Sequence, residues 1–362
     1  MKSLLDTKPV QEWGNVFNTH PVVIAGPCSA ESEKQVLETA HQLKDKGITI
    51  FRAGIWKPRT RPGHFEGVGA AGLPWLKKVK EETGMLVAIE VASEKHVYEA
   101  LKHGVDILWV GARSTANPFV VQDIADALNG IDIPVLVKNP VNPDLELWKG
   151  AIERIHKAGI TKIGAIHRGF SSYGKTAYRN LPTWQLPIDL KTDYPNIPMF
   201  NDPSHIGGKR EFLFEIMQKA MDLNFDGIII ESHCDPSVAL SDAAQQVTPD
   251  NLEKLLKSLI IRTPDSPTQE TVQELKEYRA QIDSFDRILL NILEERMEVV
   301  KKIGRFKKNN NITILQSTRW EQIIEKNLVE GSGRGFSEKF ISSLFKAIHE
   351  ESIEFQTKVM NG

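Results

Sequence analysis

Short apolar runs alternate with amphipathic helical stretches between residues 22 and 233. Each run is rich in β-branched residues and is followed by a polar cluster and then by a segment with helical periodicity. The eight runs cover residues 22–26, 48–53, 86–91, 107–111, 134–138, 162–167, 198–201 and 227–231. Continuous apolar runs indicate strands buried on both faces, and eight of them separated by helices favour a closed parallel (β/α)8 barrel. An open doubly wound sheet is the alternative.

The pattern changes after residue 261. Pro264 and Pro267 end the preceding helix and predict a linker over residues 263–271. From Val272 to Lys308 there is no proline, and a heptad stripe runs through the segment. The stripe positions are Leu275, Tyr278, Ile282, Phe285, Leu289, Ile292, Arg296, Val299, Ile303 and Phe306.

A helix over this stripe would be about 55 Å long at 1.5 Å per residue, longer than a domain of about 90 residues spans. We therefore expect it to pack against a second copy of the chain in a homodimer. The predicted organisation is a barrel domain over residues 1–262, a linker over 263–271 and a small all-helical, dimerising domain over 272–362.

Composition narrows the function classes. A chain of 362 residues has room for a barrel of about 250 residues and one small domain. Its 41% hydrophobic and 25% charged residues are typical of a soluble globular protein, and a net charge of -2 argues against nucleic acid as a partner. The N-terminus has no apolar signal-peptide core and no segment is apolar enough for a membrane span, so we expect a cytosolic protein.

Cations follow several of the apolar runs, where a barrel carries its catalytic groups. They are Arg52, Lys57, Arg59, Arg113, Lys138 and Arg168. Converging positive charges require anions, and the planar guanidinium suits phosphate and carboxylate, so two phosphorylated substrates would account for their number. The alternative is that each is a solvated surface charge.

A second set of residues at the same predicted end consists of Cys28, His205, Glu231 and Asp242. A thiolate, an imidazole and two carboxylates suit an exchangeable divalent ion such as manganese, iron, cobalt or zinc, whereas a structural zinc site would use more sulfur. Each residue also has a plainer interpretation, as a buried free cysteine, a hydrogen-bonded histidine or a helix-capping aspartate. The only other cysteine is Cys234, so no disulfide framework is expected.

Residues 15–262 resemble the 3-deoxy-D-arabino-heptulosonate 7-phosphate (DAHP) synthase family, in the short subclass similar to the octulosonate 8-phosphate synthases. The most specific motif is Lys57-Pro58-Arg59-Thr60, where the octulosonate synthases have Lys-Ala-Asn-Arg-Ser or similar. The resemblance implies a TIM barrel that condenses phosphoenolpyruvate with erythrose 4-phosphate in the shikimate pathway. It implies phosphoenolpyruvate contacts at Arg52, Lys57, Arg113, Lys138 and Arg168, and erythrose 4-phosphate contacts at Pro58, Arg59 and Thr60.

The resemblance also implies that Cys28, His205, Glu231 and Asp242 are the ligands of a divalent transition metal, with no organic cofactor. We expect Lys57 to be the proton donor to the new hydroxyl, because an ammonium between two anionic substrates is suitably placed. Cys234 has no counterpart in the family, so it is either a bystander or a redox partner for Cys28.

Arg296 stands out on the apolar stripe, because an unpaired buried cation costs several kcal/mol unless an anion neutralises it. A glutamate across the dimer could also be its partner. Arg279 and Lys307 share its predicted helix, and Arg319 begins the next.

Residues 272–356 resemble the all-helical chorismate mutases. The family's substrate-binding positions correspond to Arg279, Arg296, Lys307, Arg319, Ser352 and Gln356. The resemblance implies the rearrangement of chorismate to prephenate without a cofactor, with Lys307 and Gln356 donating to the ether oxygen and Arg279 contributed by the partner chain. Trp320 replaces the acidic residue that holds the substrate hydroxyl in many relatives, and Gln316 replaces an aspartate.

These features leave three functions open for the chain. The first, which we favour, is two active catalysts in one chain, with feedback on the synthase through prephenate or chorismate bound to the mutase domain. The second is an active synthase with a mutase-like domain that only dimerises and senses a product. The third is an octulosonate-type synthase with a structural tail, which the Lys57-Pro58-Arg59-Thr60 motif disfavours.

Overall fold

The computed structural model describes residues 5–57, 63, 65–174, 176–263 and 268–361. The chain forms two compact units, Met1–Pro264 and Asp265–Gly362. Among the described residues, no helix is both long enough and apolar enough to cross a bilayer.

The first unit contains eight parallel strands that close into a barrel in sequence order. They are β1 (Val22–Gly26), β2 (Ile50–Arg52), β3 (Leu86–Val91), β4 (Ile107–Val110), β5 (Val135–Lys138), β6 (Ile163–His167), β7 (Met199–Asn201) and β8 (Gly227–Glu231). The barrel closes through parallel pairing of β1 with β8, with Val22 opposite Gly227 and Gly26 opposite Glu231. The predicted (β/α)8 barrel is confirmed, and closure excludes the open sheet.

Ten helices accompany these strands in the described part of the first unit. They are α1 (Glu33–Asp45), α2 (Leu73–Thr83), α3 (Glu94–Lys102), α4 (Ala112–Thr115), α5 (Pro118–Ala127), α6 (Leu145–Lys157), α7 (Gln185–Asp193), α8 (Pro203–Gly207), α9 (Leu213–Asp222) and α10 (Pro249–Ser258). Side-chain caps fix several starts: Ser32, Asp144 and Thr248 each accept a hydrogen bond from a backbone N–H in the first turn of α1, α6 and α10.

Aromatic side chains fill the barrel at its N-terminal end. Trp13, from a short 3-10 helix before β1, packs 5.4 Å from Phe17 and 6.4 Å from Phe200, measured between ring centroids. A Cβ on Gly164, near the start of β6, would lie 3.1 Å from the Trp13 ring. This end is therefore closed by packed rings, which leaves the C-terminal ends of the strands for binding.

The second unit consists of three helices, α11 (Gln269–Asn309), α12 (Ser317–Gly333) and α13 (Glu338–Asn361). Helix α11 begins inside the segment that the sequence assigns to the linker, because the Thr268 side chain caps it by accepting from the Thr271 N–H. Helices α11 and α13 approach closely at Gly304, where a Cβ would lie 3.3 Å from the Gln356 Cα.

The apolar stripe of α11 is exposed in the single chain. Only Met297 and Val300 of this helix are buried apolar residues, whereas the nine apolar stripe positions are solvent-exposed. They are Leu275, Tyr278, Ile282, Phe285, Leu289, Ile292, Val299, Ile303 and Phe306. An exposed apolar face of this length agrees with the expected second copy, and the homodimer stays a prediction.

Candidate functional site

Three of the four predicted metal ligands lie together at the C-terminal ends of the barrel strands. Cys28 follows β1, Glu231 ends β8, and Asp242 lies in the segment after β8. One ligand atom from each lies within 4.8 Å of the others. The Cys28 Sγ is 3.3 Å from Asp242 Oδ2, and Asp242 has a φ of +49°, a conformation that non-glycine residues rarely adopt. The Asp242 carboxylate is thus in direct contact with the thiol.

His205, the fourth predicted ligand, borders this group from α8. Its Nδ1 lies 2.9 Å from Asp202 Oδ1, and its Nε2 lies 3.8 Å from Glu231 Oε1. The Asp202 carboxylate therefore fixes the ring and turns Nε2 towards the group. Burial lowers the pKa of His205 below its usual value, which favours the neutral imidazole that binds metals.

The chemistry of these residues fits a divalent transition metal. Burial, followed by the charges of Glu231 and Asp242, raises the pKa of the Cys28 thiol to about 12. A thiol and two carboxylates packed together are stabilised by a cation, and binding a divalent ion would displace the thiol proton. The mixture of sulfur, nitrogen and oxygen donors suits manganese, iron, cobalt or zinc.

Cationic side chains surround the same group. Arg52 is buried, with Nη1 3.4 Å from Glu231 Oε1 and its guanidinium 5.0 Å from the Trp109 ring centroid. The Lys57 ammonium donates to Cys28 Sγ at 3.1 Å. Lys138, also buried, pairs with Asp202 at 2.8 Å.

Two further predicted cations lie at this end of the barrel. Arg168 follows β6 and donates from Nη1 to Asn180 Oδ1 at 2.9 Å. Burial, with the nearby positive charges of Arg179 and Arg113, lowers the pKa of Arg168 to about 10. Arg113 lies on α4, directly after β4. The predicted substrate residues Pro58, Arg59 and Thr60 lie outside the described residues.

Sequence reasoning missed two polar residues that contact the predicted ligands. Arg179 donates to Asp242 Oδ1 at 2.9 Å, and Gln245 donates to Glu231 Oε2 at 2.6 Å. Arg179 lies well inside the β6–α7 loop, not directly after a strand, and Gln245 follows Asp242 by one turn. The one sequence signal for Gln245 was the polar pair Gln245-Gln246 close to the predicted ligand Asp242, and no local signal indicated Arg179.

The helical unit brings four of its six predicted substrate residues to the α11–α13 face. Arg296 Nη1 donates to Ser352 Oγ at 2.7 Å, and Gln356 Nε2 donates to the Ser352 carbonyl at 3.3 Å. The Gln356 Oε1 is buried and has no hydrogen-bond partner within the described ranges. Lys307 is buried and donates to the Ile314 carbonyl at 2.6 Å.

The charges on this face are arranged for an anion. Burial alone lowers the pKa of Arg296 and of Lys307, and no acidic side chain in the described part of the chain offsets it. Two partly desolvated cations and an unsatisfied amide oxygen favour a small ligand that carries carboxylates and a hydrogen-bond donor.

Trp320 and His349 form a stacked pair beside these cations. Their ring centroids are 4.1 Å apart with 17° between the planes. Burial, then the positive charge of Arg296, lowers the pKa of His349. The neighbouring Arg319 is exposed and lies 3.4 Å from Gln322 Oε1. Trp320, which departs from the pattern of the resembling mutases, thus contributes a stacked aromatic ring and no hydrogen-bond acceptor.

Arg279, like Arg319, is a predicted substrate residue that this face does not include. It is exposed and lies seventeen residues from Arg296 on one continuous helix. At 1.5 Å per residue the separation is about 25 Å, so the two side chains cannot bind one small molecule within a single chain.

Comparison with known proteins assigns both units. Residues 14–264 match the model of the DAHP synthetase I family. The chain belongs to this family. Residues 278–357 of this DAHP synthetase I family member match the model of chorismate mutase type II, so its C-terminal helices form a domain of that type.

The relatives include two kinds of aldolase, which differ in the sugar acid that their names give. The chain is 33% identical over 244 residues to the phospho-2-dehydro-3-deoxyheptonate aldolase of Thermotoga maritima, covering 67% of this chain and 70% of that protein. It is 30% identical over 257 residues to the 2-dehydro-3-deoxyphosphooctonate aldolase of Legionella pneumophila, covering 66% of this chain and 89% of that protein.

Solved structures agree with the family assignment. The crystal structure of the Thermotoga maritima DAHP synthase superposes with a TM-score of 0.59 at 32% identity, covering 65% of this chain and 67% of that chain. A truncated form of that synthase gives a TM-score of 0.57 at 29% identity, covering 65% and 84%. Family membership and barrel geometry therefore agree.

Proposed function

We propose that the chain is bifunctional. The barrel condenses phosphoenolpyruvate with erythrose 4-phosphate to DAHP and phosphate, and the helical domain rearranges chorismate to prephenate. The observation that carries the first activity is the group of Cys28, Glu231 and Asp242 beside the buried cations Arg52 and Lys138, in a chain of the DAHP synthetase I family.

In the proposed synthase reaction the cations hold the anionic substrates. Arg52, Lys57, Arg113, Lys138 and Arg168 bind the phosphate and carboxylate of phosphoenolpyruvate, in orientations fixed before the reaction begins. A divalent ion held by the four proposed ligands would polarise the aldehyde oxygen. C3 of phosphoenolpyruvate attacks the aldehyde carbon and forms the new C–C bond, and Lys57 gives a proton to the aldehyde oxygen as it becomes a hydroxyl. Water adds at the electron-poor C2 and loses its protons, and the bond from C2 to the phosphate oxygen breaks, which leaves the ketone and inorganic phosphate.

The choice of aldehyde is a separate proposal. Both aldehydes have synthases among the relatives, so family membership leaves the choice open. We infer erythrose 4-phosphate from the motif Lys57-Pro58-Arg59-Thr60, with Pro58, Arg59 and Thr60 on the aldehyde side. Turnover of arabinose 5-phosphate in preference to erythrose 4-phosphate would contradict it.

In the proposed mutase reaction Arg296 and Arg319 of one chain and Arg279 of its partner bind the two carboxylates of chorismate. Lys307 and Gln356 stabilise the ether oxygen as negative charge develops there, and no cofactor takes part. Gln356 Oε1 is buried and has no hydrogen-bond partner among the described residues. An amide that donates from its nitrogen to the ether oxygen would therefore keep this oxygen as an acceptor for a donor on the ligand. Ser352 orients Arg296 through its hydroxyl.

The full-length protein tests both activities. DAHP formation should be lost with a chelator and recovered when Mn²⁺, Fe²⁺, Co²⁺ or Zn²⁺ is restored, while chorismate consumption should be unaffected by the chelator. No DAHP with any of these metals would contradict the synthase proposal. Synthase activity without chorismate consumption would favour the alternative, a mutase-like domain that only dimerises and senses a product.

The two domains also suggest how the synthase is regulated. We propose that prephenate or chorismate bound to the mutase domain feeds back on the synthase. We also propose a cytoplasmic location, supported by the free thiols of Cys28 and Cys234.

A further inference from the structure

In each of the two carboxylates of the proposed metal centre, one oxygen, the inner oxygen, faces another proposed ligand. The other, the outer oxygen, accepts a hydrogen bond from a residue outside the ligand set. Asp242 Oδ2 lies 3.3 Å from Cys28 Sγ, whereas Oδ1 accepts from Arg179 Nη1 at 2.9 Å. Glu231 Oε1 faces His205 Nε2 at 3.8 Å and also lies 3.4 Å from Arg52 Nη1, whereas Oε2 accepts from Gln245 Nε2 at 2.6 Å. Each inner oxygen is therefore directed at another proposed ligand.

The two outer oxygens are joined by one hydrogen-bonded chain. Arg179 Nη1 also donates to Gln245 Oε1 at 2.7 Å, so the Gln245 amide accepts from the guanidinium and donates to Glu231. The order Asp242, Arg179, Gln245, Glu231 is continuous, and Gln245 and Glu231 are buried. Removing either middle residue would break the hydrogen-bonded connection between the two carboxylates.

The loop that carries Arg179 is also fixed to the element that carries His205. Arg179 N donates to the Gly207 carbonyl at 3.3 Å, and the Asn180 side chain donates to the His205 carbonyl at 2.6 Å. A Cβ on Gly208 would lie 2.5 Å from the Arg179 Cβ, so a larger residue there would displace Arg179. One loop thus contacts two of the four proposed ligands.

We propose that Arg179 and Gln245 are positioning residues of the metal centre, which hold Asp242 and Glu231 by their outer oxygens and leave the inner oxygens for the ion. The inference rests on the proposed metal site. Outer hydrogen bonds to ligating groups typically contribute 10–100-fold to metal affinity. Coulomb repulsion between the Arg179 guanidinium and a divalent ion would instead weaken metal binding. Loss of the guanidinium should therefore lower the metal affinity if Arg179 positions Asp242, and raise it if repulsion dominates.

The test is the affinity of the full-length protein for Co²⁺, measured by competition with a chromophoric chelator. Gln245→Met and Arg179→Met remove the hydrogen bonds while keeping side-chain length. Each should weaken Co²⁺ binding by about 10–100-fold. The double variant should be little weaker than either single variant, because the two residues act in series. The thiolate-to-cobalt absorption band should shift in each variant, and Arg179→Lys should restore part of the affinity.

A matched control exists on the outside of the barrel. Arg154 Nη1 donates to Gln122 Oε1 at 3.0 Å, between α6 and α5. Arg154→Met and Gln122→Met should leave the affinity and the spectrum unchanged. Unchanged or tighter Co²⁺ binding in folded Gln245→Met and Arg179→Met would overturn the proposal. Because the readout is metal binding, a wild-type protein that binds Co²⁺ but makes no DAHP would contradict the proposed function and leave this inference intact.

Discussion

Lys57 lies with its ammonium 3.1 Å from the Cys28 thiol, at the boundary between the proposed metal ligands and the substrate cations. From there it can reach a substrate oxygen close to the ion. General acid catalysis typically contributes 10²–10⁴-fold, so Lys57→Met should lower DAHP turnover by at least about 100-fold. The comparison is a steady-state assay against Lys162→Met, a lysine that directly precedes β6 and pairs with Asp132 at 2.9 Å. Near-normal turnover of Lys57→Met would remove Lys57 from the mechanism.

His167 makes barrel stability depend on pH. Burial lowers the pKa of His167 to about 4, and its Nδ1 is buried with no hydrogen-bond partner among the described residues. In the unfolded chain the His167 imidazole takes up a proton near pH 6.5, whereas in the folded chain it does so only near pH 4. The stabilising contribution of neutral His167 to the free energy of unfolding is therefore complete above pH 6.5 and is lost as the pH falls towards 4. The lost free energy of unfolding is about 3 kcal/mol.

Urea denaturation of the barrel at pH 7, 5.5 and 4.5 measures this loss. His167→Gln keeps a donor for the Pro182 carbonyl, which accepts from His167 in the native protein, and removes the titration. The variant should show a flatter dependence of unfolding free energy on pH. Equal slopes in both proteins would show that another group is responsible.

At the scale of single residues, the sequence predicts the proposed ligands better than the residues that orient them. Glu231 ends an apolar run and Cys28 follows one closely, so strand prediction alone places both at the barrel mouth. Arg179 lies 63 residues from its partner Asp242, and its role depends on the path of a long loop. Local patterns contain no information on such a pairing.

Elements were predictable because their signals are local. All eight strands lie where continuous apolar runs occur, and the bounds differ by two residues at most. Gly111, predicted to end β4, instead caps the start of α4, and the Glu90 side chain lies where a Cβ on residue 111 would be, so that only glycine fits there. Likewise, Thr268 extends α11 into the predicted linker by capping it. Side-chain contacts of this kind decide where an element ends.

The heptad stripe of α11 predicts a homodimer, and the resemblance to the all-helical chorismate mutases implies a mutase site shared between its two chains. If Arg279 of one chain completes the site around Arg296 of the other, Arg279→Ala and Arg296→Ala should each abolish chorismate turnover. Mixing the two variants after reversible unfolding should restore activity, because one site of each mixed dimer contains both arginines. Half of the dimers are mixed and half of their sites are intact, so about a quarter of wild-type activity is expected.

Two controls accompany the mixing experiment. The double variant Arg279→Ala/Arg296→Ala, mixed with either single variant, should give no activity. Phe285→Glu places a charge on the exposed apolar face and should shift the protein towards monomer in sedimentation experiments. No recovery on mixing, with dimers present, would show that Arg279 does not complete the site.

At the scale of the whole molecule, the sequence identifies two units because their patterns differ, a β/α alternation and then a heptad repeat. Coupling between the units is a different kind of property. It depends on the difference in free energy between states of the chain, and no single motif encodes that difference. Feedback from the mutase domain must therefore be tested as a linkage.

If prephenate bound to the mutase domain inhibits the synthase, the coupling is expected to be about 1–3 kcal/mol, or 5–150-fold in affinity. Saturating prephenate should then weaken phosphoenolpyruvate binding, and phosphoenolpyruvate with Mn²⁺ should weaken prephenate binding by the same factor, both measured by calorimetry. Arg296→Ala, which removes a proposed prephenate contact, should leave a synthase that is active and insensitive. Equal phosphoenolpyruvate affinities with and without prephenate would contradict the coupling. For two distinct sites, each ligand must change the affinity of the other by the same factor. Unequal factors would therefore show that one of the two ligands also binds the other unit.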